Sequence, residues 1–261
     1  MGHTQLGELP ATRNWKQVIA LLDSDADTPE IAQATAVAAE AGLSLADQDE
    51  GLIYSWYLLC HIPLAARTGQ FADSLRLLGV SVPPEPTLFD IASGFAEAVD
   101  SHQRSAPGRT DIGEMARLAA VETLMELGRR RTPSLIGSAA DDTCDTLREH
   151  STSTRFGILA HEFFARFINR FLAYHLSREL SRHVGPGQRF PDIAQHNAFN
   201  EALDLHCRQA ARSVQEFAGD WHSKANYEAG ITLRKARGFV RRALEKLRDE
   251  LARRGGKHAT A

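Results

Sequence analysis

The chain has 261 residues and a net charge of −3, with 43% hydrophobic and 24% charged residues. This composition is typical of a globular protein with a substantial core, in one large domain or two small ones. Its three scattered cysteines argue against a disulfide framework and against a cysteine-type zinc site. No run of 18 or more apolar residues occurs, and the segment MGHTQLGELPATRNW lacks the pattern of a signal peptide. We therefore expect a cytoplasmic protein without a membrane partner.

Charge is distributed unevenly along the chain. Residues 1–100 carry 4 basic and 14 acidic side chains, whereas residues 151–261 carry 19 basic and 11 acidic ones. This segregation predicts either a basic surface for an anionic partner or two regions that dock on each other. Arginine outnumbers lysine by 25 to 5, which is typical of proteins from GC-rich bacterial genomes.

Helical patterns begin early in the chain, and strand patterns are nearly absent. Apolar residues over 15–22 follow the helical period. The segment Thr28-Pro29-Glu30 then predicts a helix with Thr28 as its N-cap, running to about Ala41 and ending at Gly42.

The next predicted helix carries the apolar segment LIYSWYLLC. Ser44 and Asp47 have the spacing of a capping box at its start, and Pro63 is expected to kink or end it. A short helix over 71–78 follows, and Gly79 ends it.

The segment SVPPEP, residues 81–86, cannot be helical, so we place a boundary there. The predicted organisation is an acidic helical region over 1–80, a larger helical domain over 87–254 and a disordered tail over 255–261. The short alanine-rich helices of the first region have the texture of helical hairpins in solenoids, although no repeat of fixed length occurs. The predicted fold is therefore all-α, a multi-helix bundle with an N-terminal helical-hairpin, solenoid-like region.

The larger domain contains several further helical patterns. Asp111 and Glu114 have capping-box spacing, Thr232 is the expected N-cap of the last helix, and TPSLIG is expected to be a loop. The stretch from Gly219 to Gly230 reads as irregular. The predicted helices are 87–102, 111 to about 128–131, 142–149, 155–183, 192–218 and 232–253, with 155–183 the longest.

One helical segment, HLSRELSRH, suggests a metal site. His175, Glu179 and His183 lie at four-residue steps, which place them along one edge of an aromatic stripe. One ion can be shared by two ligands at this spacing, such as His175 and Glu179, but not by residues about 12 Å apart along the axis. A third ligand would have to come from elsewhere, for example His161, Glu162, His150, His206 or Cys207. The alternative is an ordinary half-buried helix edge.

The last predicted helix has an apolar stripe and a strongly basic opposite face. No acid occurs between Arg234 and Arg242, so five cations crowd a helix N-terminus, where the helix dipole disfavours them. This face could bind nucleic-acid phosphates, bind an acidic partner protein, dock on the acidic first hundred residues, or simply be solvated. An aromatic residue just before it, Trp221 or Tyr227, could stack on bases, although Trp221 more often anchors a core. The basic residues are Arg234, Lys235, Arg237, Arg241, Arg242, Lys246 and Arg248.

Motifs of common enzyme classes are absent from the sequence. It has no glycine-rich phosphate loop and no GxSxG elbow. The neighbours His206 and Cys207 point in different directions on a helix, so a buried thiol is favoured over a nucleophile. Asp141, Asp142 and Asp145 fit a helix start better than a metal cluster.

The function predicted from these features is a non-catalytic helical adaptor, an interaction subunit of a bacterial multiprotein system with a protein partner. It needs no cofactor. The first alternative is a nucleic-acid-binding protein that uses the basic face of the last helix. The second is a metal-dependent enzyme that uses His175 and Glu179.

Overall fold

The computed structural model describes residues 12–24, 26–105, 108–129, 139–228 and 230–255, without the side chains of Ala41, Arg178, Arg254 and Gly255. Within these ranges the chain forms eleven α-helices and no strand, which confirms the all-α prediction. None of the described helices is long and apolar enough to cross a bilayer. In chain order the helices are α1 (Arg13–Leu22), α2 (Thr28–Ala38), α3 (Glu40–Ala46), α4 (Glu50–Ala65), α5 (Phe71–Leu77), α6 (Leu88–Ser105), α7 (Asp111–Arg129), α8 (Ala139–Glu149), α9 (Ser153–Leu180), α10 (Ile193–Tyr227) and α11 (Leu233–Gly255).

Most helix starts lie close to the predicted positions, but α3 was not predicted as a separate helix, α4 starts later than predicted, and several caps differ. Asp27 caps α2, one residue before Thr28, because its Oδ1 accepts a bond from Glu30 N at 2.9 Å. The predicted capping box of Ser44 and Asp47 is wrong, since Ser44 lies inside α3 and Asp49 caps α4.

Three further predictions about helix limits meet different outcomes. Gly42 does not end a helix, because it lies inside α3. Pro63 lies within α4, which continues to Ala65. The cap of α7 is Thr110 rather than Asp111, since Thr110 Oγ1 accepts from Gly113 N at 2.8 Å. TPSLIG lies outside the described residues, as does the predicted tail after Gly255, which itself belongs to α11.

The longest helix is α10, not α9, and it runs through the stretch expected to be irregular. Close helix packing requires glycine at position 219, because a Cβ at Gly219 would lie 2.7 Å from Ser153 O at the start of α9. Gly157 makes the reciprocal approach, with its Cβ position 3.0 Å from Gln215 O. The two glycines let α9 and α10 cross closely, and this antiparallel pair is the most extensive helix contact of the fold.

The N-terminal helices pack on the C-terminal ones. Helices α2 and α4 both contact α11, and α4 also contacts α7. In a solenoid each unit contacts only its neighbours in the chain, so the solenoid-like arrangement is not confirmed. Residues 81–86 are not helical, as predicted. Buried residues of both predicted regions join one core cluster. The predicted domain boundary itself stays a prediction.

An aromatic cluster forms the centre of that core. Trp56 of α4 stacks on Phe239 of α11, with ring centroids 4.7 Å apart. Phe163 and Phe164 of α9 lie within 5.6 Å of the same indole, and Trp221 of α10 closes the cluster at 6.5 Å. Helices from both ends of the chain therefore meet at one side chain.

Candidate functional site

An apolar concavity lies between the start of α6, the second half of α7 and α9. This groove, called here the α7 groove, has a volume of about 710 Å³. Leu88 and Gly128 meet at one end, where a Cβ on the glycine would lie 2.4 Å from Leu88 Cδ1. Val121 and Met125 line it one helical turn apart, and Met125 is 42% exposed. Phe89, next to Leu88 in the chain, is also exposed.

The charged residues that line the α7 groove are already paired. Glu126 accepts a hydrogen bond from Arg129 Nε at 2.7 Å. Glu122 accepts one from Arg170, and Arg166 donates to Glu162. Unlike exposed surface ion pairs, these pairs involve Glu126, Arg166 and Glu162 side chains that are only 13%, 11% and 6% exposed, so the apolar side chains are what the groove offers to a ligand.

Lys235, one of the predicted binding residues, has a structural role. Its Nζ donates to the carbonyl oxygens of Ala225, Glu228 and Gly230, each at 3.0 Å. These carbonyls belong to the end of α10 and the turn that follows, so Lys235 ties the two helices together.

Two arginines of α11 reach the acidic N-terminal region. Arg237 donates to Glu50 at 2.5 Å, and Arg248 donates to Ser44 Oγ at 3.1 Å. In addition, Gln33 of α2 donates to Ala252 O at 2.7 Å. Docking on the chain's own acidic half, one of the four predicted alternatives, thus accounts for part of the basic face.

The rest of the basic face points to solvent. Arg241 and Arg242 both pair with Glu245, at 3.4 and 3.1 Å, and both stay more than half exposed. Arg234 is exposed and Lys246 half-buried. The structure therefore brings Arg234, Arg237, Arg241 and Arg242 onto one accessible surface. Trp221 is half-buried and packs against the core cluster, whereas Tyr227 is 93% exposed.

His175 and Glu179 lie on the last turns of α9, as predicted. His175 is buried with its ring edge against Phe171, and Glu179 accepts a bond from Arg182 at 3.2 Å. Over the described ranges, no group of three or more His, Cys, Asp or Glu side chains is placed to hold a metal ion. The metal-enzyme hypothesis stays a prediction without a third ligand.

The cysteine thiols are poor nucleophiles. Burial raises the pKa of both Cys60 and Cys207 above the usual value for a thiol. Cys144 is half-buried, and its Sγ donates to Ala66 O at 3.6 Å. A thiol whose pKa is raised carries little thiolate near neutral pH, so cysteine-based catalysis is disfavoured.

Buried His222 and half-buried His61 form a pair that the sequence did not predict. His222 stacks on Phe156 with ring centroids 4.0 Å apart, and burial, Arg67 and His61 lower its pKa from 6.5 to about 4. His61 Nδ1 donates to Tyr57 O at 2.8 Å, and burial lowers the pKa of His61 also. The sequence offered no signal for this arrangement, because His222 lies in the stretch from Gly219 to Gly230 that was predicted to be irregular.

We expect this pair to make stability depend on pH. The folded state keeps His222 neutral down to about pH 4, whereas the unfolded chain binds a proton below pH 6.5. Stability is therefore fully present above 6.5 and falls between 6.5 and 4, by at most about 3 kcal/mol. Urea unfolding of the wild type and His222→Gln at several pH values measures this. The variant should be less pH-dependent than the matched control His196→Gln; equal slopes would contradict the assignment.

The α7 groove was also missed, although one signal was present. On a helical wheel, Val121 and Met125 form an apolar line beside the core-facing stripe of α7. Neither residue belongs to the buried set of this helix. The groove itself depends on Leu88 and Gly128, which are far apart in the chain. Comparison of the chain with protein-family models, with curated proteins and with solved structures finds no match.

Proposed function

We propose that the protein is a non-catalytic helical interaction subunit that binds the apolar face of a partner protein's amphipathic helix in the α7 groove. The observation that carries the proposal is the apolar line of half-buried Val121 and exposed Met125 in a groove whose charged side chains are held in ion pairs. Bound helices of this kind insert apolar side chains spaced three or four residues apart. A bacterial, cytoplasmic multiprotein system is the setting that the composition predicts.

The shape and chemistry of the groove support a helical partner over a small ligand. It is an open surface groove rather than an enclosed cavity, and its volume of about 710 Å³ suits several apolar side chains. Methionine adapts to partners of different shape because its side chain is flexible and polarisable.

Selection from a random peptide library of about 20 residues per peptide tests this proposal. We expect the selected peptides to share an apolar helical stripe and to lose at least about tenfold in affinity for Met125→Asp, because a buried carboxylate lacks a partner. Met125→Leu should retain binding. The matched control is Leu77→Asp, an exposed apolar residue on α5. Peptides that bind Met125→Asp and wild type equally would contradict the proposal.

A further inference from the structure

We propose that the exposed face of α11 binds the phosphate groups of a single-stranded nucleic acid at a notch centred on Gly238. This inference is independent of the α7 groove, because it concerns another helix. Gly238 lies in the interior of α11, is exposed, and a Cβ added to it would meet nothing within 4 Å. Packing therefore does not require glycine here, and its backbone does not adopt a positive φ. Glycine nevertheless destabilises a helix interior relative to alanine.

The notch is surrounded by arginines. Arg234, Arg241 and Arg242 lie four residues before and three and four residues after Gly238, so all three border it on the helix surface. Arg237 is adjacent in the chain. The missing side chain lets a bulky tetrahedral group approach the helix closely, and guanidinium groups bind phosphate oxygens through paired hydrogen bonds.

The cations outnumber the carboxylates that face them. Arg237 pairs with Glu50, while Arg241 and Arg242 share the single carboxylate of Glu245. The side chains of Arg241 and Arg242 are 70% and 58% exposed. Exposed ion pairs contribute little free energy, so these guanidinium groups can turn to a ligand of higher charge density.

The small size of the face and an exposed ring at the end of α10 favour a single strand. From Arg234 to Arg242 the helix rises about 12 Å and carries four exposed arginines, which is enough for about four phosphate contacts on one strand. Lys235 fixes the start of α11 against the end of α10, where Tyr227 is almost fully exposed. An exposed aromatic ring beside cations stacks on unpaired bases. A duplex offers no unstacked base to this ring.

Fluorescence anisotropy with a labelled oligo(dT) of about 20 nucleotides, across a KCl series, tests the inference. Four phosphate contacts predict a slope of about −3 for log affinity against log salt, which is about a 50-fold loss between 50 and 200 mM. Arg241→Ala/Arg242→Ala should reduce both the affinity, by about tenfold or more, and the steepness of the slope. Lys16→Ala/Arg104→Ala, which removes two exposed cations elsewhere, should leave both unchanged.

Gly238→Ala separates a binding role from a structural one. It should raise the melting temperature and yet weaken oligo(dT) binding several-fold, because the methyl group fills the notch. Tyr227→Ala should weaken binding at least about fivefold. Four results would overturn the inference: no binding at 50 mM KCl, salt-insensitive binding, an equal loss in the control pair, or tighter binding of a same-length duplex. If poly-glutamate displaces the labelled oligo(dT) as effectively as unlabelled oligo(dT) does, the inference is overturned and the face is assigned to an acidic protein instead.

Discussion

Replacing Trp56 with alanine is expected to lower the free energy of unfolding by about 3–5 kcal/mol, the largest effect of any single substitution that we predict. The indole is fully buried, and it contacts rings from α9, α10 and α11. Its removal leaves a cavity at the point where the two ends of the chain meet. Because α4 belongs to the acidic region and α11 to the basic one, the substitution also weakens their association.

Urea unfolding followed by circular dichroism measures this effect, with Trp56→Phe as the control. Phenylalanine keeps an aromatic ring in place and removes the indole N–H, which is buried without a hydrogen-bond partner among the described residues. We expect Trp56→Phe to lower the free energy of unfolding by less than half as much as Trp56→Ala does. A loss below about 1 kcal/mol for alanine, or separate unfolding of two regions, would show that Trp56 does not join them.

Gly219→Ala is the second substitution with a large expected effect. The added methyl group would lie 2.6 Å from Ser153 Oγ and 2.7 Å from Ser153 O, and the backbone oxygen cannot move without shifting α9. Overpacking of this kind costs about 1–3 kcal/mol, which exceeds the gain of at most about 1 kcal/mol from the better helix propensity of alanine. The net result should be a loss of stability.

The matched control is Gly238→Ala, the same change in a helix interior with open space around it. Its free energy of unfolding should rise by about 0.5–1 kcal/mol, because the better helix propensity of alanine is the only effect that applies. Thermal unfolding of the two variants beside wild type compares them directly. Melting temperatures that move in the same direction would contradict the close crossing of α9 and α10.

The helices were predictable where local chemistry determines them. The last helix follows from its apolar stripe and from Thr232, whose Oγ1 accepts from Lys235 N at 3.2 Å. The end of α10 was not predictable, because Gly219 resembles a helix terminator in the sequence but serves contact with Ser153. A local pattern does not distinguish a glycine that ends a helix from one that lets another helix approach.

Of the candidate surfaces, the arginine face could be predicted from the sequence, whereas the α7 groove could not. The arginine face could be predicted, because periodicity alone places Arg234 and Arg241 opposite the apolar stripe. The role of Lys235 could not, since it depends on the turn before α11. The α7 groove likewise needs the antiparallel packing of α6 and α7 to bring Leu88 to Gly128, and no local motif encodes that contact.

Hydrogen–deuterium exchange with and without a selected helical peptide tests the proposed function most directly. We expect slower exchange in the first turns of α6 and the second half of α7, where partner contacts would suppress local opening, with α11 unchanged. The Met125→Asp variant should show no such protection. Protection confined to α11, or the same pattern in wild type and Met125→Asp, would contradict the assignment of the α7 groove as the partner-binding surface.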